Sequence, residues 1–317
     1  MTSVSKKAPS AGKISFSAYF RRKWQLYFML LIPAVEVLIF NYIPLAGLSL
    51  AFQDYIPGNG GMISGLFSGK FVGLKWFRMA LAMPDFTNVL RNTVTMAVGK
   101  IVLGQVFAIL FALLLNEVSN RLYKRVVQTI TYFPHFLSWA IIGGIFTDML
   151  SSTGIINQFL GLFGVQPVFF LGSNQTFQPT MIILEVWKEF GWGAIVYLAA
   201  ITNINPELYE SAAIDGAGRL KGIWHVTLPG ISSVIVMLAV LNIGGILNAG
   251  FEQILIMYNP AVYQTGDVLD TMIYRMGLLD AQYSLSTAIG LFKSVISMVL
   301  TLTANFLAVR YTDYRIF

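Results

Sequence analysis

Residues 204–230 read INPELYESAAIDGAGRLKGIWHVTLPG, from Ile204 to Gly230, in a chain that is otherwise strongly apolar. Asn205 suits a helix N-cap. Pro206 suits the first helical position, where its preset φ helps and its missing N–H is not needed. Glu207 and Glu210 then sit near the positive end of the helix dipole. Ala212, Ala213 and Ile214 form a small apolar strip that another protein can approach closely. Gly216 and Gly218 break or bend the helix. Leu228-Pro229-Gly230 is expected to close the segment before a membrane span begins. The stretch reads as a short amphipathic helix, a turn and a lead into the bilayer.

The sequence on either side is membrane-like. A span needs roughly 20 mostly apolar residues, and six windows of that kind are present. They run from about Gln25 to Phe52, Thr93 to Leu115, Thr129 to Leu150, Thr180 to Ile201, Gly230 to Met257 and Leu285 to Val309. The fourth holds Glu185, Lys188 and Glu189. Orientation follows from Lys and Arg. Residues 1–24 carry Lys6, Lys7, Lys13, Arg21, Arg22 and Lys23, and Arg121, Lys124 and Arg125 lie between the second and third spans. Arg219 and Lys221 lie in the quoted loop, with Arg310 and Arg315 at the C-terminus. Six spans place all of these on one side, the cytoplasm, with both termini inside. The basic start lacks a small-residue cleavage site, so the first span reads as an uncleaved anchor. Outside the membrane, residues 53–90 combine turns at Gly58, Gly60 and Gly61 with an amphipathic piece from Leu74 to Met79, and residues 151–179 read as surface helices or lids.

Composition excludes several classes. Of 317 residues, 56% are hydrophobic and 11% charged, against about 25% charged in soluble domains, so the chain is an integral membrane protein. There is no cysteine and only two histidines, His135 and His225, which removes thiol chemistry, disulfides and histidine-rich metal sites. The net charge of +6 fits cytoplasmic loops rather than nucleic acid. No Gly-x-x-x-x-Gly-Lys-Ser/Thr string occurs, so any ATP is bound elsewhere.

The quoted loop resembles the EAA loop of ABC-importer permeases, the dock for the ATPase. Glu210, Ser211 and Ala212 take the first places. Asp215, Gly216 and Ala217 give the Asp-Gly-Ala core, and Val226, Leu228 and Pro229 the closing element. Ser211 stands where alanine is usual and Val226 where isoleucine is usual; both are close in size. In the family the position of Glu210 pairs with an arginine of the ATPase. Further runs resemble the sub-family that imports oligosaccharides released from polysaccharides, which includes alginate-oligosaccharide importers and LplB-like permeases. They are Phe251-Glu252-Gln253, Tyr258 to Tyr263, Gly266 to Thr271 and Thr287 to Ser294, and the similarity runs from about residue 25 to the C-terminus.

The resemblance implies an all-α, MetI-like type I permease over residues 25–317, with its core helices at about 93–309, in the bacterial cytoplasmic (inner) membrane. It implies a second homologous permease subunit, two copies of an ABC ATPase holding ATP and Mg, and an extracytoplasmic solute-binding protein. No cofactor is expected on this chain, which is not itself an enzyme. Substrate would cross by alternating access.

Charges inside a bilayer cost on the order of 3 kcal/mol each and need partners or a wet path. Glu36, Lys100, Glu185, Lys188, Glu189, Glu252 and Lys293 are in this position. Glu185 and Glu189 share a helix face with Lys188 beside it; a local ion pair and a pathway role both fit. A sugar path calls for aromatic faces with amides and carboxylates. Trp187, Trp192, Tyr197, Asn242, Asn248, Glu252, Gln253 and Tyr258 supply these, although interface anchoring and helix packing also suit them. An acidic substrate would use Lys100, Lys188 or Lys293. Two rivals differ in class. An ion-coupled secondary transporter leaves the 204–230 loop unexplained, and a membrane enzyme needs acidic or histidine clusters that the sequence does not offer.

Overall fold

The computed structural model describes residues 16–55 and 69–312. The basic tail at 1–15, the Gly58–Gly61 turns and Arg315 lie outside the described residues. The chain divides into two units, Met1–Ser49 and Leu50–Phe317.

The first unit holds helix α1, Phe16–Val37, with non-helical dihedrals at Lys23 and Pro33 inside it. A π-turn at Leu38–Tyr42 follows, and then a 3-10 stretch, Ile43–Phe52, that leads into the second unit.

The second unit opens with a two-residue antiparallel pair, Gln53–Asp54 against Lys70–Phe71, followed by α2, Lys75–Ala82. Lys75 reaches Asp54 at 2.8 Å, and the Trp76 indole N–H donates to the Gln53 carbonyl at 2.9 Å. Next come α3, Phe86–Asn116, α4, Arg121–Tyr132, α5, Trp139–Met149, and a short surface helix α6, Ile155–Gly161. The last large elements are α7, Phe177–Thr202, α8, Pro206–Ile214, α9, Arg219–Gly244, α10, Phe251–Met257, α11, Leu269–Tyr274, and α12, Tyr283–Thr312.

Helix α3 shows how the apolar sequence is sorted. Lys100, Ala108, Ala112 and Leu115 are buried, while Leu103, Val106, Phe107, Leu110 and Leu114 are exposed, which is the 3.6-residue alternation of a helix with one packed side. Its partner is α7: Ala108, Ala112 and Leu113 meet Ala194, Tyr197, Ile201 and, from α9, Ile231. Small residues bring the helices close. A Cβ on Gly191 would lie 2.2 Å from the Thr131 carbonyl oxygen of α4, so only glycine fits there.

Among the described residues, four helices are long and apolar enough to cross a membrane: Lys23–Phe52, α3, α9 and Tyr283–Phe306 of α12. A fifth arises if α4 and α5 form one span, but they meet at 101°. The unbroken third span expected over 129–150 is therefore corrected. Pro134 starts a 3-10 turn at 133–136, and the extended residues Leu137 and Ser138 turn the chain into α5; proline lacks the N–H that would continue the helix. The fifth window is also broken. Helix α9 stops at Gly244, and the chain re-enters α10 through Gly250 at φ +87°, a conformation that favours glycine. At its other end α9 starts at Arg219, so Leu228-Pro229-Gly230 lies inside the helix rather than closing the loop. Pro229 leaves the carbonyl four residues back without a donor. The helix widens there into a π-turn at Ile223–Thr227, with Leu228 N–H donating to the Ile223 carbonyl.

Candidate functional site

Two polar regions stand out, one at each end of the α7–α9 hairpin. In the 204–230 loop, the Asn205 side chain accepts from the Glu207 N–H at 3.1 Å, the N-cap expected from sequence. The Ser211 hydroxyl donates to the Glu207 carbonyl at 2.8 Å, so it serves its own helix. Helix α8 ends in a complete Schellman motif. Gly216 has φ +76°, its N–H donates to the Ala213 carbonyl, and the Ala217 N–H donates to the Ala212 carbonyl. Tyr209 and Thr227 share a hydrogen bond of 2.9 Å that ties α8 to the base of α9. A rigid corner results. From it Ile214 and Leu220 are 87% and 81% exposed, with Trp224 and Glu210 exposed beside them. Asp215 is exposed, Ala217 and Leu228 are half-buried, and Pro229 is exposed. Arg219 approaches Glu117 only at 4.0 Å in an open setting.

The second region is a cavity of about 650 Å³ between α3, α7, α9 and the α9–α10 break. Lys100 projects from α3 with its side chain 8% exposed. Its ammonium donates to the Ala249 carbonyl at 2.7 Å and to Gln253 Oε1, and faces Glu185 at 3.7 Å. Gln253 is fully buried and donates in turn to the Met181 carbonyl at 2.9 Å. Gly250 explains why this corner is glycine: a Cβ there would sit 2.6 Å from Lys100 Nζ. Lys100 therefore fastens the unwound turn after α9 to α3 and α7. Glu185 does not pair with Lys188, as its spacing suggested. Lys188 instead donates to Glu189 at 2.8 Å and to the His135 carbonyl at 3.1 Å, and Glu189 also contacts the His135 ring at 2.7 Å. That ring lies flat on Trp192, with centroids 4.4 Å apart and planes 2° apart, while Phe136 meets the same indole edge-on.

Trp192, Tyr197, Asn242 and Asn248 all line this cavity, with Lys100, Glu185, Glu189, Gln105 and Asp270. Trp187 lies outside the lining and packs edge-on against Phe146. Glu252 is exposed and outside its lining, Gln253 is buried outside the lining, and Tyr258 lies against Tyr263 with centroids 5.0 Å apart and the rings tilted by 31°. Lys293 belongs to a second cavity of about 460 Å³, bounded also by Asn248, Asp270, Ser294 and Ser297. Gln105 and Asp270 were not singled out from sequence. Gln105 is one amide in a long apolar run, its side chain donating to the Ile235 carbonyl at 2.8 Å. Asp270 lies in the first turn of α11, and only tertiary packing brings it to the cavity.

Beyond the cavity, Asp267 holds Arg275 through two hydrogen bonds of 2.6 and 3.2 Å, and the guanidinium lies 4.8 Å from the Tyr263 ring. Burial works against the Arg275 charge, but the Asp267 bonds and charge outweigh it and hold the proton more firmly than usual.

Comparison with known proteins matches residues 104–313 to the family described as binding-protein-dependent transport system inner membrane component. Protein LplB of Bacillus subtilis (strain 168) is 40% identical over 323 residues, covering 100% of both chains. The polygalacturonan/rhamnogalacturonan transport system permease protein YteP of the same organism is 38% identical, also over 100% of both. A crystal structure of a bacterial ABC transporter involved in the import of the acidic polysaccharide alginate contains a chain with 41% identity and a TM-score of 0.83, covering 93% of this chain and 98% of that one. A bacterial alginate ABC transporter in complex with alginate pentasaccharide-bound periplasmic protein gives 40% identity and a TM-score of 0.84, over 95% and 99%.

Proposed function

This chain belongs to the binding-protein-dependent transport system inner membrane components, which are transport subunits rather than enzymes, and on that footing we propose how it works. It is the permease subunit of an ATP-driven importer of oligosaccharides, uronate-containing ones among them. The observation that carries the substrate class is the end-to-end similarity, near 40% identity, to a chain of an alginate importer.

The permease has six spans, with α7 as the charge-bearing one, and both termini face the cytoplasm. A second, homologous permease completes the pathway. Two ATPase copies hold ATP and Mg and receive the corner at Glu210, Ser211, Ala212, Asp215, Gly216, Ala217, Leu228 and Pro229. Exposed Ile214 and Leu220 support this reading, because large apolar groups at full exposure mark a contact surface. A binding protein delivers substrate on the opposite side. The sugar passes the cavity at Trp192, Tyr197, Asn242 and Asn248, where the indole offers a stacking face and the amides satisfy hydroxyls that have left water. ATPase closure moves the α8 corner, and the Tyr209–Thr227 link passes that motion to the base of α9.

The test is uptake into proteoliposomes holding the complex assembled from neighbouring genes, supplied with binding protein and a panel of oligosaccharides. ATP-dependent uptake of one oligosaccharide class supports the reading. Uptake that follows an ion gradient without ATP contradicts it.

A further inference from the structure

Three lysine–carboxylate pairs lie in or beside the cavities, and they are not equivalent. Lys100 is 8% exposed and held by the Ala249 carbonyl, Gln253 and Glu185. Lys188 is also 8% exposed, held by Glu189 and the His135 carbonyl, and does not line either cavity. Both ammoniums have structural acceptors on several sides, and a ligand carboxylate would have to displace backbone carbonyls to reach them. Lys293 differs. It is 14% exposed, it lines the second cavity, and its one hydrogen bond among the described residues is to Asp270 at 2.5 Å. Asp270 itself borders both cavities, as does Asn248. Asn248 is exposed and its side-chain amide makes no hydrogen bond among the described residues, and Ser297 lines the same wall.

We propose that Lys293, Asn248 and Ser297 form a carboxylate subsite for a uronate unit of the transported oligosaccharide, with Asp270 as the counter-ion that the substrate carboxylate displaces. This rests on the oligosaccharide reading above and names the charge it recognises. An ammonium, an amide and a hydroxyl are all donors, which is what a carboxylate with two acceptor oxygens requires. Asp270 keeps the ammonium paired while the site is empty, so the charge is never left alone in the low-dielectric interior. Exchange of one carboxylate for another leaves Asp270 facing both cavities, where water solvates it, and close to the bound anion, which it repels. Binding is thereby kept weak, as a transport site needs if its cargo is to leave.

The experiment uses the full reconstituted complex with binding protein. Uptake of a uronate trisaccharide is measured beside the ATPase rate stimulated by binding protein. Lys293→Met is expected to lower uronate uptake about tenfold with the stimulated ATPase rate kept, and Lys293→Arg to retain uptake. Asp270→Asn is expected to lower the KM for the uronate trisaccharide, because the substrate carboxylate no longer has to displace a counter-ion from Lys293. The double variant Lys293→Met with Asp270→Asn removes both charges and so relieves any folding defect caused by one orphan; it is expected to stay about tenfold down in uptake. Recovery of uptake in the double variant, equal losses in Lys293→Met and Asp270→Asn, or unchanged uptake in Lys293→Met would each overturn the subsite and assign the pair to packing. If the unmodified complex takes up no oligosaccharide at all, it is the functional reading that falls.

Discussion

The 204–230 corner and the wall of the larger cavity are both polar regions of an apolar chain, built on opposite plans. The corner satisfies its backbone internally, through the Asn205 cap and the Schellman turn at Gly216, and leaves Glu210, Ile214 and Leu220 facing outward. In and around the cavities the charges turn on one another: Lys100 on Glu185, Lys188 on Glu189, Lys293 on Asp270. A side chain presented to a partner protein can stay solvated until the partner arrives. A charge in a membrane interior needs its partner within the fold. In the proposed function the first region therefore works through exposure, and the second through pairing.

Substitutions at the two regions should consequently differ in kind. Glu210→Ala is expected to have the largest effect, lowering ATP-driven uptake about a hundredfold, in line with losing a desolvated charge contact across an interface, while the thermal stability of the isolated permease stays unchanged. Fluorescence-detected melting beside uptake checks both halves. Lys100→Ala should do the reverse and act on folding. It orphans Glu185, the Ala249 carbonyl and Gln253, with a cost of about 3–5 kcal/mol, and melting in detergent would show a large drop. Lys100→Met with Glu185→Gln should recover most of it; no recovery would mean that the Ala249 and Gln253 bonds, not the ion pair, hold the turn. Gly216→Ala forces a side chain into the left-handed region and should cost about 1–2 kcal/mol, seen as a modest fall in coupled ATPase rate. Arg219→Ala should change nothing measurable, since its contact with Glu117 is long and open to solvent. A strong effect there would place Arg219 in the ATPase contact.

The two regions were also unequally legible in the sequence. The corner is local: its cap, helix and αL turn lie within some dozen residues, and Asn205, Pro206 and Gly216 each announce a position with a single preferred geometry. Its far edge departs from the sequence expectation, because Pro229 looks like a stop and is instead absorbed by a π-turn. The cavity region joins residues far apart in the chain, Lys100 to Gln253 across 153 positions and His135 to Glu189 across 54. Helical spacing placed Glu185 beside Lys188, but tertiary packing gave Glu185 to Lys100. Hydropathy located most of the spans. It could not show that two of the windows are broken, at Pro134 and at Gly244–Gly250, and the second break is what shapes the cavity.

The most direct measurement concerns the corner as the ATPase contact. The chain has no cysteine, so Ile214→Cys introduces a unique thiol on the permease, and Leu162→Cys, 81% exposed at its position and opposite the corner in the proposed topology, provides a control. Maleimide labelling of each is compared in the isolated permease and in the ATPase-containing complex. The account predicts that Cys labelling at position 214 is fast in the isolated chain and suppressed in the complex, with position 162 reacting equally in both. Equal labelling at position 214 with and without the ATPase would contradict the docking role.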